Sequence, residues 1–174
     1  MVPVVLGILI ALALNEWRES VNNRKFLENV VSSINREMEE NQSEFHEKIE
    51  QHQALLDSIQ LYMHEEDISI GDIIGKVGGI KAVSVKNTAW RSFINPNIEL
   101  VDYELISLLT DIEETKQVMK LQVEKLMDFL YERAGSTEYD DKMIFQLIMG
   151  DLTYSEESLL EDHEAFLART KGAF

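Results

Sequence analysis

The amino-acid sequence predicts an all-α protein: an antiparallel helical bundle whose long N-terminal helix continues from a membrane anchor. Three observations lead there. Apolar residues recur at steps of three, four and seven over most of the chain, the pattern of one buried stripe on a helix. Two prolines and eight glycines are all that punctuate 174 residues, so helices can run long. At the N-terminal end, Val2 to Leu14 carries no polar side chain and passes without a break into a polar helical pattern.

As a helix that opening run spans about 20 Å at about 1.5 Å per residue, against a hydrocarbon core of about 30 Å. Three readings compete. A cleaved leader would use Ala11-Leu12-Ala13 as its processing site, but no Lys or Arg precedes the run, and a leader needs a basic start. A core helix that is apolar on every face needs protein all round it, which a chain of this size supplies with difficulty. An anchor explains the flank: Trp17 would sit at headgroup level and Arg18 would extend its cation to water. The anchor reading is preferred, as the C-terminal part of a transmembrane helix whose start lies upstream of Met1 or was removed. It places residues 1–17 in the anchor, with Val5, Leu6, Gly7, Ile8, Leu9, Ile10, Ala11, Leu12 and Trp17 as its membrane-facing residues, and 18–174 in one helical soluble domain. Gly7 and Ala11 share a helix face where two membrane helices can approach closely, so a homo-oligomer stands beside the monomer as an expectation.

The stretch GILIALALNEWRE, Gly7 to Glu19, resembles an uncharacterised bacterial family of short single-pass membrane proteins with a helical soluble domain. The likeness rests on Gly7 to Leu12 and on Asn15 and Trp17, and Asn87 to Leu109 is loosely similar to the soluble part of such proteins. The resemblance implies the bacterial inner membrane, with the periplasmic side favoured for the soluble domain. It brings no known activity.

Element by element, Leu27, Val31, Ile34, Met38, Phe45, Ile49, Leu56, Ile59 and Met63 form one stripe, which predicts a single helix from the anchor to about His64. Glu37, Glu40, Glu44 and Glu47 lie well round from that stripe and are expected to face water. Ser69 and Asp72 are spaced as a capping pair for a short helix bearing Ile70, Ile73, Ile74 and Val77, which Gly78-Gly79 ends. Val83 and Val85 suggest an extended link. Asn87 is placed to cap a turn carrying Trp90 and Phe93, with Trp90 as a core anchor, and Asn95-Pro96-Asn97 breaks it. Asp102 starts a second long helix through Leu105, Leu109, Ile112, Met119, Val123, Leu126 and Leu130, stopped at Gly135-Ser136. A helix over 137–149 and a separate last one, capped by Thr153 and Glu156, complete the expected set.

Chemistry is hard to find. The 32 acidic residues against 16 basic ones give a formal charge of −16, which repels nucleic acid and anionic headgroups, so no nucleic-acid partner is expected. No cysteine is present, hence no disulfide framework and no thiolate chemistry. None of the four histidines has the Glu-x-x-His spacing of di-iron bundles, and His46-Glu47 lacks the second His of a zincin. His52 falls on the apolar side of the first helix and is expected to be a hydrogen-bonded core residue. The stretch GDIIGKVGG has the wrong glycine spacing for a phosphate loop, and no Ser or Thr follows Lys76. No catalytic, cofactor or metal residue is therefore assigned. The sequence reads first as a membrane-tethered interaction or scaffold protein with an unknown protein partner. A ligand-sensing bundle of a membrane signalling system ranks second, and an enzyme third.

Overall fold

The computed structural model describes residues 2–171, and the side chains of residues 5–93 and 98–171. Among these the chain is all-helical, with no strand. Helix α1 spans Val2–Leu61, α2 Ile70–Lys76, α3 Thr88–Asn97, α4 Tyr103–Arg133 and α5 Tyr139–Thr170, with a single 3₁₀ turn at Ile98–Leu100. Met1 and the last three residues of the expected soluble domain lie outside the described residues, as do the side chains of Asn95, Pro96 and Asn97.

Each boundary has a local cause. Ser69 and Asp72 form the expected capping box at α2, and Gly78 and Gly79, at φ of 84° and 95°, end it in a region that side-chain-bearing residues avoid. The Asp102 side chain accepts from the Glu104 amide and starts α4. Lys142, fully buried on α5, donates from Nζ to the carbonyls of Tyr62 and Glu65 at 3.0 and 2.5 Å, and so satisfies orphan acceptors where α1 ends. The α4–α5 turn holds α2: the Ile70 and Gly71 amides donate to the carbonyls of Ser136 and Ala134. A β-carbon at Gly71 would stand 3.1 Å from the Ala134 oxygen, so this close approach uses the missing side chain.

Helix α5 is the centre of the bundle. Its C-terminal Thr170 hydroxyl bonds to Asn35 on α1, and its N-terminal Gln146 bonds to Gln60, so α1 and α5 run in opposite directions. Arg169 pairs with Glu104, and Arg133 with Asp141, which gives α4 and α5 the same opposed sense. Phe45, Leu55, Ile59, Ile70, Ile73, Phe145, Met149 and Leu159 are buried between these helices, with Trp90 and Phe93 of α3 in the same core.

Two expectations need correction. There is no break near residue 150: α5 is one helix, Thr153 is buried in its interior, and its hydroxyl donates to the Met149 carbonyl instead of capping anything. Tertiary packing along α1 and α4 holds Gly150 in helix despite its weak propensity. The stripe on α1 also differs. Ile49 and Leu56 are only half-buried, while Asn41, Lys48, His52 and Leu55 are buried with the apolar residues. The buried set is spaced alternately three and four apart from Val31 to Ile59, the repeat of a helix seam against a partner helix.

Candidate functional site: an exposed apolar helix and a buried polar seam

The first feature is the outer part of α1. Every residue from Val5 to Ser20 is exposed, and the large apolar side chains from Val5 to Leu14 are each 53–59% exposed, what a helix touching nothing shows. Gly7 and Ala11 are open in the same way, and Trp17 is 68% exposed. The apolar helix from Val5 to Leu14, about 15 Å at about 1.5 Å per residue, thus stands clear of the bundle. The core-helix reading of this run fails, because no described residue packs on it. Among the described residues no helix is long and apolar enough to cross a membrane.

The second feature is a row of polar groups buried where α1 meets α5. His52 donates from Nδ1 to Glu156 Oε2 at 2.7 Å, with both side chains withdrawn from solvent. His52 Nε2 and Glu156 Oε1 are buried without any hydrogen-bond partner. The pair was half legible: His52 lies on the apolar side as expected, whereas Glu156 read as a capping residue.

Three turns before His52, Asn41 ties three elements together. Its Oδ1 accepts from the Lys86 amide and its Nδ2 donates to the Lys86 carbonyl, both at 2.9 Å. The second Nδ2 proton points at His163 Nε2, 3.2 Å away. Since Asn41 Nδ2 can only donate, Nε2 accepts, and the His163 proton sits on Nδ1 facing the Leu159 carbonyl at 2.5 Å. Burial holds His163 below the usual histidine range, against the opposing pull of the Leu159 carbonyl.

The carboxylate row on α1 departs from the expectation of a solvated face. Glu37 accepts from the Ala89 amide and caps α3, while the side chain of the N-cap residue Asn87 turns to Glu113 at 2.6 Å. Glu44 accepts from the Ser84 amide at 2.9 Å. Glu40 pairs with Lys86 Nζ at 2.8 Å, and that ammonium holds its carboxyl below the usual range. Only Glu47 faces away, to Lys48 and Gln51. Asn41 and Glu44 thus accept from the link between α2 and α3, and Glu37 accepts from the first turn of α3. The eleven residues without helix between α2 and α3 need partners for their amides, but nothing in the spacing says where they are.

A shallow apolar groove of about 310 Å³ lies between α1 and α3, lined by Phe26, Val30, Ala89 and Phe93 with Asn29, Ser33 and Ser92. Among the described residues no three His, Asp or Glu side chains converge as a metal site. Comparison with models of known protein families, with curated proteins and with solved structures found no match.

Proposed function

We propose that this chain is a membrane-tethered interaction protein: an antiparallel helical bundle held at a membrane surface by residues 1–17, acting through contact with a protein partner rather than by catalysis. The observation that carries the reading is the exposed apolar helix from Val5 to Leu14. Leaving so much apolar surface in water costs about 25 cal/mol per Å², and lipid relieves that cost on every side of the helix at once. Trp17, one turn beyond, falls at headgroup level. The likeness of Gly7–Glu19 to the uncharacterised bacterial family supports the same reading, including a bacterial inner-membrane location with the bundle in the periplasm. The direct test is flotation of the full chain with neutral phospholipid vesicles, beside the Ile8→Lys/Leu12→Lys double variant. The chain should float, and the variant should stay at the bottom with an unchanged circular dichroism spectrum. A chain that stays down with the variant, or a variant that loses its helix, overturns the anchor.

A ligand-sensing bundle is the second reading, favoured by one observation: the apolar groove at Phe26, Val30 and Phe93 opens on the same helix that carries the anchor. A fluorescent apolar probe should then bind the wild type and not Val30→Trp. Equal binding to both removes the groove as a ligand site.

A further inference from the structure

We propose that His163 is a proton-operated release for the α2–α3 link, residues 80–87, and that Asn41 carries the signal. The inference stands on the bonding of one amide and does not depend on the membrane reading.

Both Nδ2 protons of Asn41 are committed. Its oxygen and one of its protons hold the Lys86 backbone, and its other proton needs an acceptor, which neutral His163 supplies at Nε2. A proton on Nε2 sets a donor against a donor inside the core. The amide cannot escape by turning over: its oxygen would then receive the imidazolium, but its NH₂ group would face the Lys86 amide, and the link would lose its grip. Either way a charged His163 breaks the Asn41 bonds that dock the link at Lys86, and the link is left to its bonds with Glu44 and Glu113. His52 stands apart from the link, held by Glu156 through Nδ1.

The charged groups around His163 do not set this behaviour. On α1, Glu37, Glu40 and Glu44 are turned to the link and α3. Lys86 sends its ammonium outward to Glu40. On α5, Asp162 is the neighbour in sequence, raised by its own burial and by Asp111 of α4. On α3 and α4, Arg91 and Glu113 act, with Glu37, on Lys116, and burial and the Leu159 carbonyl are what act on the ring. Phe45 covers the ring edge-on, with centroids 5.5 Å apart.

The docked state holds the His163 proton less tightly than the open state, where the ring is an ordinary histidine of pKa about 6.5. The open state therefore takes up more protons as pH falls. Docking is at full strength above that value and weakens below it. At pH 5.5 the opening equilibrium should rise by up to about tenfold, the protonation ratio of an open-state histidine one unit above the pH. Trp90 and Phe93 keep α3 in the core, so the release stops at the link.

The test is hydrogen–deuterium exchange of the full chain in nonionic micelles at pH 7.5 and 5.5, corrected for intrinsic exchange, with His163→Gln alongside. The amides of 80–87 should lose protection by up to about tenfold at pH 5.5 in the wild type, with α3 unchanged. His163→Gln, neutral at both values, should show no pH effect. In parallel, imidazole nitrogen shifts of the wild type report the His163 titration and need no variant. Its midpoint should match that of link opening. A wild-type link indifferent to pH, a pH effect retained in the variant, or two midpoints that disagree overturns the proposal.

Discussion

The outer and inner parts of α1 are one continuous helix with opposite fates. From Val5 to Leu14 it is apolar on every face and touches none of the described residues; from Val31 to Ile59 it buries a single, mostly apolar stripe. The difference lies in how apolar residues are distributed around the axis. A stripe tells the helix which way to face within a protein, and the remaining faces stay wet. An all-round apolar surface names no direction and can be satisfied only by surroundings that are apolar everywhere. The inner part also tolerates polar residues that the outer part lacks. Asn41, Lys48 and His52 sit in the seam, and two of them find α5 partners at single positions. Polar groups in such a seam penalise a shifted register more than an intended one.

Several substitutions break or sharpen that comparison. The largest contrast is between Phe45→Ala and Leu9→Ala. The first empties a fully buried site and should cost roughly 3–5 kcal/mol, as should Trp90→Ala in α3. The second should leave the denaturant melt of the bundle within about 0.5 kcal/mol. Comparable losses at Phe45 and Leu9 would mean that the outer helix belongs to the core.

Glu156→Ala comes next. It strands His52 in the seam with both ring nitrogens unpaired and should cost roughly 3–5 kcal/mol, mostly for leaving a buried polar partner alone. The double variant His52→Leu/Glu156→Met should be more stable than Glu156→Ala, since it removes both partners and their two orphan atoms. A double variant weaker than the single one would give the pair a net stabilising role that its unmatched atoms argue against.

Asn41→Ala should cost roughly 1–3 kcal/mol, because the Lys86 amide and carbonyl lose their partners while half-shielded. Thermal melts read the loss, and a change under 0.5 kcal/mol would show that water replaces the amide freely.

The smallest effect has the opposite sign. Gly150→Ala should stabilise by about 0.5–1 kcal/mol, since a helical interior favours alanine and a β-carbon there meets nothing within 4 Å. A loss of stability would instead point to two helices parting near residue 150.

Much of this arrangement was open to a reader of the residues alone. The all-helical class, the long first helix, the Ser69–Asp72 cap, the glycine stop at 78–79 and the start of α4 at Asp102 are local matters. Each depends on residues within a turn or two, where periodicity and capping chemistry operate. The isolation of the outer helix was foreshadowed too, because thirteen successive apolar residues leave no polar face to present to water. What only the tertiary structure decided are the contacts between elements far apart in the chain. Thr153 and Glu156 satisfy a capping pattern perfectly well, and only a partner on α1 turns Glu156 inward to His52 and keeps α5 unbroken. Glu37, Asn41 and Glu44 have the composition of a wet face, and only the link and the first turn of α3, arriving some forty or more residues later, make them acceptors. Local patterns report what a segment can do on its own. A polar side chain's buried partner is selected by packing in three dimensions, where separation along the chain no longer measures distance.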